Sequence, residues 1–221
     1  MKTPLEKNGI GIFGGTFDPI HNGHIQSAKM VSDWLGLANV LFIPAHIPPH
    51  KTQAHTIPHA SATQRATMVS LACQPFPQFI CDKRELTRSG HSYSVDTLKA
   101  LKAEYPEQTL YFIIGMDSLL TFTQWHQYQD ILTLCHLVVN TRPNYDISQV
   151  NQATKTLLEN HQVDSVTILK QQKNGAIIFA PPVHFDISST QIRANLCQQQ
   201  CCKSSLSPLI LDFINKNQLY R

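Results

Sequence analysis

A doubly wound α/β sheet, mostly parallel and with helices on both faces, is the architecture this sequence predicts. Three observations predict it. Short apolar, β-branched runs alternate with helical patterns along the chain, and that alternation is built most simply as a parallel sheet with crossover helices. Runs such as "LYFIIG" (Leu110–Gly115) are apolar at nearly every position, as strands buried on both faces must be. The 221 residues suffice for one well-buried domain, and no repeat or linker divides them, so residues 1–221 read as a single domain.

In chain order, the expected strands are 10–13, 40–43, 79–81, 110–114, 137–140, 166–169 and 177–180, each a β-branched or aromatic run bounded by turn residues. Helices are expected near 23–35, 62–73, 94–104, 149–160, 190–197 and 208–215. The first places Ile25, Ala28, Val31 and Leu35 on one face. The segment Ile43–Ala60 holds four prolines and four histidines, which no helix tolerates. It reads as a long loop, and long loops in compact domains are commonly functional.

Composition narrows the function classes. Apolar content is 42% and charged content only 15%, with a net charge of +3, too mild and too dispersed for a duplex-binding surface. "MKTPLEKNG" has no apolar core of a signal peptide, and no run approaches the roughly 20 apolar residues of a membrane span. The six cysteines form no C-x-x-C pair and read as reduced thiols of a cytoplasmic protein. Cys197, Cys201 and Cys202 cluster, but no second Cys/His pair beside them completes a tetrahedral metal set. No nucleic-acid or membrane partner is expected, and the oligomeric state stays open.

"GIGIFG" (Gly9–Gly14) matches G-x-G-x-x-G letter for letter, with Asp33 about 20 residues on where a ribose-binding acid would stand. The match is rejected. Its glycines fall before or inside the first strand, and "TFDP" keeps a helix from starting at Gly14. The working turn is instead "GGTFDPIHNGHI" (Gly14–Ile25). Two glycines at a strand end allow a sharp turn and close approach of a phosphate to backbone N–H groups. Asn22 is the expected N-cap of the next helix. His21 and His24 then flank its positive end, which favours an anion and disfavours an imidazolium. Either histidine alone could be an incidental surface residue; the whole arrangement at a strand-to-helix junction argues for phosphate.

A second anion-binding pattern is "FDISSTQIR" (Phe185–Arg193). Ser188 and Gln191 fit the S-x-x-Q capping box, and Arg193 stands one turn into the helix. An ordinary capped helix with a surface arginine is the competing interpretation.

Together, "GGTFDPIHNGHI" and "ISSTQIR" resemble the paired signature of nucleotidyltransferases related to the catalytic domain of class I aminoacyl-tRNA synthetases, a Rossmann-like fold. The likeness continues in order through "IPPHK" (Ile47–Lys51), "ELTRSGHSYSVDTL" (Glu85–Leu98), "FIIGMDSLLTF" (Phe112–Phe122), Trp125, "RPNY" (Arg142–Tyr145) and "INKNQLYR". These middle blocks make the chain similar to the bacterial nicotinate-nucleotide adenylyltransferases. The resemblance implies a reaction: nicotinate mononucleotide and ATP give deamido-NAD and pyrophosphate by direct in-line transfer, a step of NAD biosynthesis. It implies that His21, His24, Lys51 and Arg193 act on the phosphates. Gly14, Gly15, Thr16, Phe17, Gly115, Asp117, Ser188, Ser189 and Thr190 would bind ATP, with helices over about 188–221 completing that site. Asp117 would do so through a ribose hydroxyl. Tyr93, Ser94, Trp125 and Arg142 would bind nicotinate mononucleotide, with Trp125 stacked on the pyridine. Mg2+ would be bound mainly through ATP phosphates. Without the resemblance, Trp125 reads equally as core and Tyr93 as a packing residue at a helix start. His126 stands where relatives often have another aromatic, and Asn144 where glycine is common.

Two rivals remain open at this level. One is an adenylyltransferase for another acceptor, such as nicotinamide mononucleotide, pantetheine phosphate or a flavin mononucleotide. The other is a non-catalytic nucleotide sensor or tRNA-handling domain, opposed by the absence of a K-M-S-K-S loop and by the joint presence of both histidines, Lys51 and Arg193.

Overall fold

The computed structural model describes residues 9–48, 57–141, 150–182 and 187–221. The strands are β1 (Ile10–Gly15), β2 (Asn39–Pro44), β3 (Phe79–Cys81), β4 (Leu110–Gly115), β5 (His136–Asn140) and β6 (Ile177–Phe179). The helices are α1 (Asn22–Leu35), α2 (Ala62–Cys73), α3 (Ser94–Glu104), α4 (Met116–Thr121), α5 (Tyr128–Leu134), α6 (Gln152–His161), α7 (Val166–Gln171), α8 (Ser189–Cys197) and α9 (Pro208–Lys216).

The strands form one parallel sheet in the order β3-β2-β1-β4-β5-β6. Register is set by pairs such as Ile12↔Phe112, Ile113↔Val138 and Val138↔Ile178. All five residues of β5 and the first five of β4 are buried, which is the physical reason these strands are apolar throughout. The winding direction reverses between β1 and β4. In open sheets of this kind ligands gather beyond the carboxyl ends of the strands. Those ends are Gly14–Gly15 for β1 and Gly115 for β4.

Backbone contacts divide the chain into two compact units. The first comprises Met1–Phe13, Ala28–Val40 and Tyr93–His184. Its core includes Ile12, Leu37, Leu98, Leu101, Ile113, Phe122 and Val138, and α3 packs on α5. The second comprises Gly14–Ser27, Leu41–Ser92 and Phe185–Arg221. Its core includes Ile20, Phe42, Met68, Val69, Ile192, Ile210 and Ile214, and α2 packs on α9.

The predicted elements are recovered with three exceptions. Residues 166–169, expected as a strand, are the helix α7. Ser165 caps it by accepting a bond from the Ile168 N–H, and of that run Leu169 is buried while Ile168 is 44% exposed. A single buried side chain behind a serine cap suits one helical turn, not a strand covered on both faces. The other two exceptions are α4 and α5, which were not anticipated. With 6 and 7 residues they are too short to display a helical period. The Ile25–Ala28–Val31–Leu35 face of α1 is buried as expected. Gly9, with φ at 114°, precedes β1, and Gly11 lies inside it, where a Cβ would meet Leu37 Cδ1 at 2.9 Å. The rejected dinucleotide fingerprint therefore has no turn to occupy.

Candidate functional site

In the second unit, β1 ends at Gly15 and the chain crosses Thr16–Ile20 into α1. The glycine at 15 leaves room for the Phe17 ring, which a Cβ would meet at 3.0 Å. Phe17 has φ at 51°, a left-handed conformation that costs a non-glycine residue about 1 kcal/mol or more. Its ring is buried edge-on against His24 and beside Phe42, so packing sustains that backbone. Phe17 thus supports the turn from beneath.

The start of α1 differs from expectation. His21, not Asn22, holds the cap position, since its carbonyl accepts the first helical bonds from His24 and Ile25. Asn22 is drawn elsewhere: its N–H donates to the Ser205 carbonyl and its Nδ2 to the Ser204 carbonyl. His24, three residues in, reaches back so that its Nδ1 accepts the His21 N–H at 3.2 Å. This is the returning half of a capping box with an imidazole in the usual glutamate position. A nitrogen that accepts carries no proton, so the proton of neutral His24 sits on Nε2 and that atom is a donor. The two rings stack at 3.7 Å. Gly23 makes the stack possible, because a Cβ there would meet His21 Nδ1 at 3.0 Å and Ile187 Cβ at 3.6 Å.

α8 is fastened to the same turn. Ser188 Oγ accepts the Gln191 N–H, as expected, but the Gln191 amide does not return to complete the box. It donates to Asn195 Oδ1 at 2.7 Å, a partner one turn ahead on its own face. Ser189 Oγ donates to the Pro19 carbonyl. Arg193 Nη1 donates to the Asp18 carbonyl at 2.7 Å, and Nη2 reaches Thr190 Oγ1 at 3.4 Å. Both predicted anion motifs, with Gly14, Gly15 and Thr16, therefore surround one turn. Lys51 lies outside the described residues.

Three residues that sequence reasoning did not single out hold this turn from behind. Asp18, 5% exposed, accepts the His59 N–H at 2.8 Å, the Ala60 N–H at 3.1 Å and the Tyr220 hydroxyl at 2.7 Å. Arg65, 1% exposed, donates to the carbonyls of Thr16, Ala60 and His46. Burial pulls its guanidinium below the ordinary arginine range, while the Asp18 charge opposes that pull. The signal for Arg65 was available: it shares a helical face with Val69 and Ala72, both buried.

In the first unit, Gly115 caps α4, and a Cβ there would meet Asp117 Oδ1 at 2.5 Å. Glycine at this position lets the Asp117 carboxylate fold back over the strand end. Tyr93 caps α3 with Ser94 as its first residue, and the Tyr93 ring packs on His126 at 4.4 Å. Trp125, half-buried, packs against Phe122 and Phe112, with its Nε1 directed to Thr121 Oγ1 at 3.4 Å. Tyr93, Ser94, Trp125 and His126 belong to this unit together with Gly115 and Asp117. Arg142 lies outside the described residues.

All six cysteines are free. Cys202 is buried and donates to the Ile192 and Gln200 carbonyls. Among the described residues no three His, Cys, Asp or Glu side chains gather as a metal cage, and no helix is long and apolar enough to cross a membrane.

A parallel doubly wound sheet whose first strand ends in a glycine pair and a His-x-Gly-His helix start defines a nucleotidyltransferase class. A model of the cytidylyltransferase-like family matches residues 12–195, and the chain belongs to that family. Within it, the chain is 40% identical over 210 residues, 95% of each chain, to a Klebsiella pneumoniae protein named "Probable nicotinate-nucleotide adenylyltransferase". A Pectobacterium atrosepticum protein of the same name is 42% identical over 210 residues, covering 95% of this chain and 97% of its own. Among solved structures, Plasmodium falciparum nicotinic acid mononucleotide adenylyltransferase complexed with NaAD aligns with a TM-score of 0.71 at 21% identity. That alignment covers 96% of this chain and 97% of that one, and shows that the fold is shared.

Proposed function

We propose that the protein transfers the adenylyl group of ATP to nicotinate mononucleotide, releasing pyrophosphate and forming deamido-NAD, a step of NAD biosynthesis. The observation that carries the reading is the convergence of His24, Arg193 and the glycine pair on the Thr16–His21 turn. In the reaction an oxygen of the mononucleotide phosphate attacks the α-phosphorus of ATP. A bond forms there as the bond to the β-phosphate oxygen breaks in line, and pyrophosphate leaves with the electron pair. No protein nucleophile is needed, so the protein contributes alignment and charge stabilisation.

The backbone N–H groups of Gly14–Thr16 and the His24 Nε2–H donate to the transferring phosphoryl group, with His21 stacked behind to fix the ring. Arg193 neutralises the β/γ phosphates beside the Ser188–Thr190 helix start, and Lys51 adds a second cation. Asp117 takes a ribose hydroxyl. The first-turn N–H groups of α3, beginning at Ser94, receive the nicotinate carboxylate, Trp125 and Tyr93 supply aromatic walls, and Arg142 serves the mononucleotide phosphate. Functionally, residues 1–221 act as one nucleotidyltransferase domain.

The donor set of the turn fits a metal that arrives with ATP. Its groups are N–H, imidazole and guanidinium, suited to phosphate. Its one carboxylate, Asp18, is already occupied by three donors. Mg2+ held by phosphates and water would add charge neutralisation on the polyphosphate. The six free cysteines, none of them in a C-x-x-C pair, accord with a cytoplasmic location.

The test is pyrophosphate release from ATP with a panel of acceptors. A strong preference for nicotinate over nicotinamide mononucleotide is expected. Equal rates would remove the carboxylate argument, and no release with any acceptor would favour a sensor.

A further inference from the structure

The reaction as described uses neither the Asp18 carboxylate nor Arg65 nor Tyr220, although all three are buried and polar. Burying a carboxylate is costly unless hydrogen bonds replace its water. Here three do, and they come from separate stretches: the His59–Ala60 backbone and a tyrosine 202 positions away in sequence. Burial and the neighbouring carboxylate push the Tyr220 phenol well above its ordinary range, so it remains a donor. The same residue that receives these bonds through its side chain offers its carbonyl to Arg193. Arg65 anchors the carbonyl of Thr16, two residues earlier.

The geometry points to Tyr220 and Arg65 as positioning residues: Tyr220 acts through the Asp18 carboxylate and Arg65 through the Thr16 carbonyl, and together they fix the Thr16–Pro19 backbone so that the Asp18 carbonyl holds the Arg193 guanidinium in place for the leaving pyrophosphate. This rests on the adenylyl-transfer reading above. Its mechanical content is distinct, because the relay makes an orientation demand on Arg193 that a stability role alone would not make.

A double-mutant cycle tests it. Tyr220→Phe removes one hydrogen bond to a carboxylate and keeps the ring. It is expected to lower kcat for pyrophosphate release about tenfold, with KM for nicotinate mononucleotide unchanged. In an Arg193→Lys background, where the forked grip on Asp18 and Thr190 is already lost, Tyr220→Phe should add less than about twofold. Arg65→Lys supplies the same comparison should Tyr220→Phe fail to fold. Equal fold-losses in both backgrounds, or a lowered Tm with kcat unchanged, would overturn the inference while leaving the reaction intact. A wild-type protein that releases no pyrophosphate would overturn the functional reading and this inference together.

Discussion

Gly23→Ala separates what the histidine pair does for the fold from what it does for the chemistry. Gly23 lies in the first turn of α1 and is not among the positive-φ glycines, so its backbone accepts alanine. Helix propensity and the stiffer unfolded chain favour the variant by up to about 1 kcal/mol. Against this, the new methyl would stand 3.0 Å from His21 Nδ1 and 3.1 Å from Cε1. Ordinary contact for such atoms is about 3.5–4.0 Å, so the ring must yield by roughly half an ångström. It has little room to do so, being 2% exposed and stacked at 3.7 Å on His24. A ring turned about 30° from its well costs about 0.5–1.5 kcal/mol. The two effects nearly cancel, and Tm should stay close to wild type.

Catalysis has no such compensation. A turned His21 ring pushes on the His24 ring stacked against it and so strains the Nδ1 bond to the His21 N–H that sets the direction of Nε2. A misplacement of about 1 Å can cost a factor of about 100 in rate, so half of that should cost about tenfold in kcat. Thermal unfolding followed in parallel with steady-state pyrophosphate release measures both quantities. A variant with raised Tm and kcat within about twofold of wild type would refute the argument that the stacked pair must be held in register.

Other outcomes follow from the same contacts. His24→Ala should lower kcat by more than about 100-fold, and a loss confined to KM for ATP would reassign it to ground-state binding. Arg65→Met strands the carbonyls of Thr16, Ala60 and His46 behind the turn; chemical denaturation should show a loss on the order of 3 kcal/mol. His136 is buried, accepts the Ala176 N–H at Nδ1 and donates from Nε2 to the Gln172 carbonyl, and burial lowers its affinity for a proton. The unfolded chain therefore binds the proton first. Its share of stability is complete above the unfolded value of about 6.5 and is lost as pH falls from there through the lower folded value. In His136→Gln, which keeps one donor and one acceptor, the slope of stability against pH just below about 6.5 should flatten.

The sheet was legible because burial on both faces leaves a signal in each strand separately; β4 and β5 announce themselves from five or six residues. Contiguity made the turn legible as well, since its glycines and histidines fall within Gly14–Ile25. What was misread concerned choices between partners. Asn22 and Gln191 are good capping residues by type, yet the side-chain amide of each donates to another acceptor in the folded chain, the Ser204 carbonyl and Asn195 Oδ1. Propensity ranks local options and cannot see a competitor 182 residues away.

The same reasoning explains why the support behind the turn stayed hidden. A buried ion needs several donors at once. Those donors are drawn from wherever the fold brings backbone N–H groups together, so they carry no sequence pattern of their own. Asp18 was in plain view inside the motif, and Tyr220 inside the "INKNQLYR" ending. Neither position indicates that phenol and carboxylate meet at 2.7 Å. The histidines and Arg193 can be recognised one motif at a time because each sits in a short contiguous pattern on a local element. What orients them is assembled from the Asp18, His59–Ala60, Arg65 and Tyr220 stretches, and its logic is hydrogen-bond satisfaction around one charge. For this reason the coupling between Tyr220 and Arg193, more than the effect of either alone, is the informative measurement on this molecule.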